Sequence, residues 1–405
     1  MDFQLTKEAQ AIRDEARDFV RKEWKNPGHD LTGGLAAWHG DEDNRHAGGE
    51  IAKEFAKKLV DKGWYTMHWP KEFGGEEASI EKQLAYREVM SYEDAPASLG
   101  GGLVAPVLMV HGADWMKQEF LPKLASADIE FSQGFSEPDA GSDLAGLKTR
   151  AVRDGDDYVI NGQKIWGTYR NDWIHILVRT DADAPKHRGI TYLLARLKDE
   201  NGDYMPGITV RGIPDGTGNH RWDELFMENW RVPAQSIIGE ENRGWYAAMT
   251  TLSFERSNIG RPAQLLRTLE DTIDWFEANS KKGTEDTLAR AEIRNRLASW
   301  RVEVEMLRML CYRVGWMQSQ GLVPQRESSM VKATGDELFQ RIYRGIAQIM
   351  GGYGNLLPTN GPNYKLPVND FLPARGWQSI GTSIGGGTRE IQKNIIAQRG
   401  LGLPR

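Results

Sequence analysis

KTRAVRDGDDYVINGQKIWGT, residues 148–168, is where the chain stops reading as helix and begins to read as sheet. Asp154-Gly155 and Asn161-Gly162 each sit between short β-rich runs, the strongest short-range hairpin signal a sequence offers. Further strand-like runs follow at WIHILVRT (173–180), GITYLLARL (189–197) and GITVRGI (207–213). Glycine, proline and asparagine separate them, and no helical crossover lies between. That spacing predicts an antiparallel sheet or small barrel, not a parallel doubly wound sheet.

On both sides the period is helical. Ile12, Ala16, Phe19 and Val20 recur at three- and four-residue spacing, as do Ile51, Phe55 and Leu59. GWYTMHWPKEFGG (63–75) breaks the helices as a loop, and more helix fills 79–125. After residue 237 long helices are expected near 244–280, 286–320, 326–350 and 387–399, with Pro262 kinking or interrupting the first. The expected fold class is α+β and multidomain. It comprises an N-terminal helical domain (1–128), a central antiparallel β-barrel or sheet domain (129–237) and a C-terminal four-helix bundle (238–405).

Composition narrows the function. A net charge of -6 gives no electrostatic reason to expect nucleic acid or an anionic membrane as partner. One cysteine, Cys311, forbids an internal disulfide and suits a reducing, cytoplasmic setting. Eight scattered histidines show no ligand spacing, so no metal site is expected. The N-terminus has no apolar core of a signal peptide, and no apolar run is long enough to span a membrane.

Four stretches carry candidate chemistry. Glu255 falls on the stripe Trp245, Met249, Leu252, Ile259 and Leu266 of the expected helix 244–266. A carboxylate there is either a structural ion pair, most simply with Arg256, or a general base with a raised pKa. FSEPDAGSDLAG (135–146) reads as turns whose hydroxyls and amides face a polar ligand, or as a plain surface loop. In KIWGTY (164–169), Trp166 is either a core side chain or an indole that stacks on a planar cofactor. QIMGGYG (348–354) ends a helix in glycines, which by itself is a C-cap.

Taken in order, these stretches resemble the acyl-CoA dehydrogenase family over essentially the whole chain. FSEPDAGSD resembles that family's T/S-E-P-x-A-G-S-D signature and NGQKIWGT its N-G-x-K-x-W-I-T strand. QIMGGYG is similar to Q-x-x-G-G-x-G, and GGGTREIQKNIIA to the E-G-T-x-x-I-Q helix.

The resemblance implies FAD as cofactor, an acyl-CoA as substrate and lipid catabolism (β-oxidation) as setting. An electron-transferring flavoprotein is the implied electron acceptor. The implied assembly is a homotetramer or homodimer, with a heterotetramer possible. Phe135 and Ser136 are implied at the pyrimidine edge of the flavin, Ser142 near the pyrophosphate, Trp166 beside the ring system and Thr168 near its hydride-accepting nitrogen. Gln348, Gly351 and Gly352 match adenine-dinucleotide contacts made across a subunit interface. Thr388 and Glu390 match a further FAD-contacting pair, and Arg256 an arginine that holds the substrate region.

Three departures qualify the match. Many relatives place the catalytic glutamate where this chain has Gly386; a minority, of isovaleryl- and long-chain type, place it in an E-R dipeptide, which Glu255-Arg256 matches. Gly386 then keeps only the backbone amide that meets the thioester carbonyl. The run GTYRNDW after Trp166 is shorter than usual, and NSKKG (279–283) replaces an Arg-x-x-Phe-Gly. The changes at Gly386 and NSKKG motivate one alternative, a non-catalytic or half-site subunit of a heteromeric complex; an acyl-CoA oxidase, in which oxygen reoxidises the flavin, is another.

Overall fold

The computed structural model describes residues 4–24, 45–96, 102–214, 216, 220–253, 258–280, 290–356 and 372–404. Five helices come first: α1 (Lys7–Glu23), α2 (Arg45–Asp61), α3 (Ile80–Tyr92), α4 (Val104–His111) and α5 (Asp114–Ala125). The spacing of apolar residues explains α1, whose Ala9, Ile12, Ala16 and Val20 are its buried face. Its start is fixed by Thr6, whose hydroxyl accepts from the Ala9 amide. The stretch 63–75 buries Trp64, Tyr65, Met67 and Trp69.

Seven strands follow: β1 (Phe131–Gly134), β2 (Arg150–Asp154), β3 (Asp157–Gly167), β4 (Trp173–Arg179), β5 (Ile190–Arg196), β6 (Ile208–Pro214) and β7 (His220–Pro233). They form one sheet in the order β1-β4-β2-β3-β7-β6, with β5 on β4. Four pairings are antiparallel, as the hairpin pattern predicts. β1 and β2 each meet β4 in parallel, so the sheet is mixed.

The two hairpin signals fare differently. Asp154 pairs with Asp157 across a tight turn in which Gly155 takes φ +61. Asn161-Gly162 is not a turn. It lies inside β3 at a bulge facing β7, where a Cβ on Gly162 would stand 2.7 Å from Thr149 Oγ1. Glycine is there for close approach, a role that its local sequence cannot separate from a turn.

The helical period returns with α6 (Gly244–Ser253), α7 (Gly260–Ser280), α8 (Ala291–Ser319), α9 (Gln325–Ile349), α10 (Leu372–Thr382) and α11 (Arg389–Ile395). The single helix expected over 244–280 is in fact two. Asn258 and Ile259 are not helical, and Pro262 sits in the first turn of α7, where its missing N–H costs nothing. The apolar stripe that placed Glu255 therefore lacks the continuous helix it assumed, and residues 254–257, with Glu255 and Arg256, lie outside the described residues.

By its contacts the chain divides into two compact units: Met1–Phe55 with Ala78–Ala97 and Arg256–Arg405, and Ala56–Glu77 with Ser98–Glu255. The first is helical. Its core joins Leu269 and Phe276 of α7, Trp300 and Leu307 of α8 and Ile342 and Ile346 of α9. Glu88 of α3 is buried and bound by Arg308, and by the Tyr312 hydroxyl at 2.7 Å, tying α3 to α8. The second unit packs α4, α5 and α6 against one part of the sheet, with Phe120, Leu177, Tyr192 and Ala248 in its core. A second apolar layer in that unit joins Tyr158, Ile174, Leu193 and Trp230.

Candidate active site

In the sheet-bearing unit, the signature loop and the end of β3 are locked together by a buried ion pair. Lys164 is fully buried; its Nζ donates to Glu137 Oε1 at 2.8 Å and to the Phe135 carbonyl at 3.1 Å. Glu137 also accepts the amides of Lys148 (2.6 Å) and Thr149 (2.9 Å). Burial alone would raise the Glu137 carboxyl. The Lys164 charge and these hydrogen bonds together outweigh it and hold the group below the ordinary carboxylate value. Lys164 is brought down to about 8 by burial against the pull of Glu137, and so stays protonated at neutral pH.

This lock gathers four of the candidates. The Ile165 amide donates to the Ser136 carbonyl at 3.0 Å, and Ser132 Oγ donates to the Thr168 carbonyl at 2.5 Å. Phe135 is buried against the His175 and Tyr192 rings, while Ser136 and Thr168 are half-buried. Ser142 is exposed, seven residues beyond Phe135 in the same loop.

Trp166 is the unusual residue. Its φ is +68, in the left-handed region, at the second bulge of β3, and its side chain is 56% exposed. That conformation costs a bulky residue about 1–2 kcal/mol and turns the indole out of the strand's alternation. The reading of Trp166 as a core side chain is thus corrected. The indole meets the Trp222 ring in an edge-to-face contact, ring centroids 6.1 Å apart. In the short link that follows, Tyr169 is buried and its amide donates to Asp223 Oδ2 at 3.0 Å.

Two neighbours escaped the sequence reading. Gln133, on β1, has a buried Nε2 with no hydrogen-bond partner, a donor that a polar ligand can satisfy. His175, buried on β4, shares a hydrogen bond with the Tyr192 hydroxyl and is pushed down by burial to about 3. Neither belongs to a motif with a local signature. Glu137 and Lys164 were inside two motifs already, but their contact across 27 positions is visible only in three dimensions.

His175 sets a pH dependence. Its folded value lies below the ordinary 6.5, so its contribution to stability is whole above pH 6.5 and is lost as pH falls towards about 3. Denaturant titrations between pH 6.5 and 5 should show about 2 kcal/mol of lost stability from this group. The slope should flatten in His175→Gln; an unchanged slope rules the assignment out.

In the helical unit the candidates fall in two places. Gln348, Gly351 and Gly352 are exposed at the C-terminal end of α9, where Gly351 takes φ +58 and a Cβ on either glycine would meet nothing within 4 Å. Arg296 donates to Gln348 Oε1 at 3.2 Å.

At the other place Thr388 caps α11, accepting from the Ile391 amide at 3.2 Å, and Glu390 is exposed in the first turn. Gly386 and Gly387 take φ +70 and +89, and the Gln392 carboxamide reaches both carbonyls at 3.4 Å. A Cβ on Gly386 would lie 3.5 Å from Lys332 Cε. Lys332 is early in α9 and Gln348 late, about 24 Å apart at the helical rise. One copy of the chain does not bring these two places together.

The donor set suits a long, planar-headed dinucleotide such as FAD. In the sheet-bearing unit it offers an open indole face, an orphaned amide and a polar turn loop.

Comparison with known proteins agrees. The family models for the acyl-CoA dehydrogenase N-terminal, middle and C-terminal domains match residues 6–128, 132–230 and 242–401. The chain belongs to the acyl-CoA dehydrogenase family and is an oxidoreductase; members of that family are FAD-dependent flavoproteins.

It is 34% identical to the acyl-CoA dehydrogenase FadE26 of Mycobacterium tuberculosis, covering 88% of this chain and 89% of that one. Among solved structures it is similar to the Tcur3481-Tcur3483 steroid ACAD, with a TM-score of 0.83 and 29% identity over all of both chains. It is likewise similar to the ChsE4-ChsE5 complex from Mycobacterium tuberculosis, with a TM-score of 0.82, 29% identity and full coverage of both chains. Among the described residues no helix is long and apolar enough to cross a membrane, and no cluster of metal-ligating side chains occurs.

Proposed function

We propose that the protein removes one hydrogen from each of the α and β carbons of an acyl-CoA, giving the trans-2-enoyl-CoA, with Glu255 as the base for the α proton. The observation that carries this is Trp166, held outward at an energetic cost beside the locked signature loop. FAD, when bound, supplies the acceptor for the β hydride. Phe135, Ser136, Gln133 and Thr168 hold its ring end around Trp166, and Ser142 its pyrophosphate. The Gly386 amide meets the thioester carbonyl and stabilises the charge that grows there as the proton leaves. Arg256 holds the substrate region.

Gln348, Gly351 and Gly352 serve the dinucleotide of another subunit, which their distance from Gly386 supports. The assembly is therefore a homotetramer or homodimer. The ChsE4-ChsE5 likeness supports a second reading, in which this chain pairs with a different subunit to complete its sites. An electron-transferring flavoprotein takes up the electrons. The steroid ACAD likeness supports a bulky, ring-bearing acyl group.

The domain boundaries of this reading are 1–128, 129–237 and 238–405. A cytoplasmic setting accords with Cys311, whose thiol burial pushes up to about 12 and so leaves inert. The test is mass spectrometry of the product with an artificial electron acceptor. The purified chain should yield a thioester lighter by two hydrogens; an inert chain that turns over only when mixed with a second subunit selects the half-site reading.

A further inference from the structure

The short run GTYRNDW, residues 167–173, lies wholly in the sheet-bearing unit and is tied to three neighbouring segments. The Thr168 carbonyl accepts from Ser132 Oγ of β1 at 2.5 Å. The Tyr169 and Arg170 carbonyls accept from the Tyr204 hydroxyl at 2.9 Å and from Lys198 Nζ at 2.8 Å, both in the connection between β5 and β6. The Tyr169 amide donates to Asp223 of β7, the residue that pairs with Gly167.

Gly167 needs no glycine for its backbone, because its φ lies outside the left-handed region. The reason is Tyr169. A Cβ on Gly167 would stand 2.4 Å from Tyr169 Cζ and 2.7 Å from its hydroxyl oxygen, far inside the separation of about 3.5–4.0 Å at which such atoms rest. The tyrosine ring, wholly buried, fills the space that a side chain at 167 would take.

This interlock bears on Trp166. Ile165 pairs with Glu224 and Gly167 with Asp223, so Trp166 is an extra residue between two consecutive partners. Restoring it to the pleat would slide Gly167 one position along β7. The ring against Gly167 and the held carbonyls of 168–170 oppose that slide.

We propose that Tyr169 is a positioning residue for the flavin: packed against Gly167, it keeps Trp166 in its left-handed, exposed state before the cofactor arrives. The inference rests on the reading of Trp166 as a flavin-facing residue. A preformed indole need not be ordered on binding, so the interlock is read as cofactor affinity.

The test measures FAD dissociation by flavin fluorescence, the visible circular dichroism of the flavin at saturating FAD, and denaturant stability. Gly167→Ala should weaken FAD binding about tenfold and alter the dichroism, since the added methyl drives the ring or the strand aside. Tyr169→Phe keeps the packed ring and should match the native protein in both. Tyr169→Ala should weaken FAD binding as Gly167→Ala does. Adding Gly167→Ala to it should bring no further loss, because the methyl then has room.

Native affinity and dichroism in Gly167→Ala overturn the proposal, as does a full second loss in the double variant or a Tyr169→Phe as impaired as Tyr169→Ala. Should Tyr169→Ala fail to fold, Gly167→Ala and Tyr169→Phe decide it. Trp166→Ala separates the underlying reading. If it is impaired while Gly167→Ala is native, the reading of Trp166 stands and the proposal falls. If it binds FAD as the native chain does, while the stability losses of Gly167→Ala and Tyr169→Ala fail to add, the interlock stands and the reading of Trp166 falls.

Discussion

Glu255→Gln should keep the native flavin absorption and lose about 10²- to 10⁴-fold in turnover, the worth of a positioned general base. The α C–H of a thioester is a weak acid, and a glutamine can occupy the space but cannot take the proton. Because the loss falls on the chemical step, kcat and kcat/KM should drop together, with substrate affinity close to native. Steady-state rates with an artificial acceptor read this directly. Activity within threefold of native removes Glu255 from the mechanism, and the base must then be sought elsewhere.

Lys164→Met should be the most destabilising single change in the sheet-bearing unit. It leaves the Glu137 carboxylate buried, still facing the amides of Lys148 and Thr149 but without its counter-charge. Breaking a buried pair from one side costs about 3–5 kcal/mol. Changing both partners, Lys164→Met with Glu137→Gln, should recover a good part of that loss, because no lone charge remains. Denaturant unfolding of the single and double variants gives the coupling. Equal stability of Lys164→Met and the native chain contradicts the lock. The same geometry predicts acid sensitivity. Glu137's folded value is lowered, so its contribution is present above the ordinary carboxylate range and lost as pH falls through the lowered value.

The order helix, sheet, helix was legible because each segment keeps one hydrophobic period. The strand-like runs at 173–180 and 189–197 became β4 and β5, each buried on consecutive residues, and three- and four-residue spacing became α1. What failed were the places where a local signal has two physical origins. Asn161-Gly162 reads as a turn, yet glycine there admits Thr149 at the back of a bulge. The apolar run from 244 to 266 reads as one helix, yet α6 is Gly244–Ser253, Asn258 and Ile259 are not helical, and α7 starts at Gly260.

The site divides the same way. Motifs located the signature loop, the β3 end and the two glycine segments, since those residues are local in sequence. The left-handed φ of Trp166, the orphaned amide of Gln133 and the Lys164–Glu137 pair are products of tertiary packing, which no spacing rule encodes. The triglycine at 385–387 is clearer for the structure. Positive φ at Gly386 and Gly387 and the Gln392 carboxamide make it a held turn and a strained place for any side chain.

The most direct test of the account is anaerobic titration of the FAD-loaded protein with a panel of saturated acyl-CoAs, followed by the flavin absorption. The oxidised flavin band should be lost with at least one thioester, in the native protein and not in Glu255→Gln. No bleaching by any member of the panel, or equal bleaching in the two proteins, would contradict it.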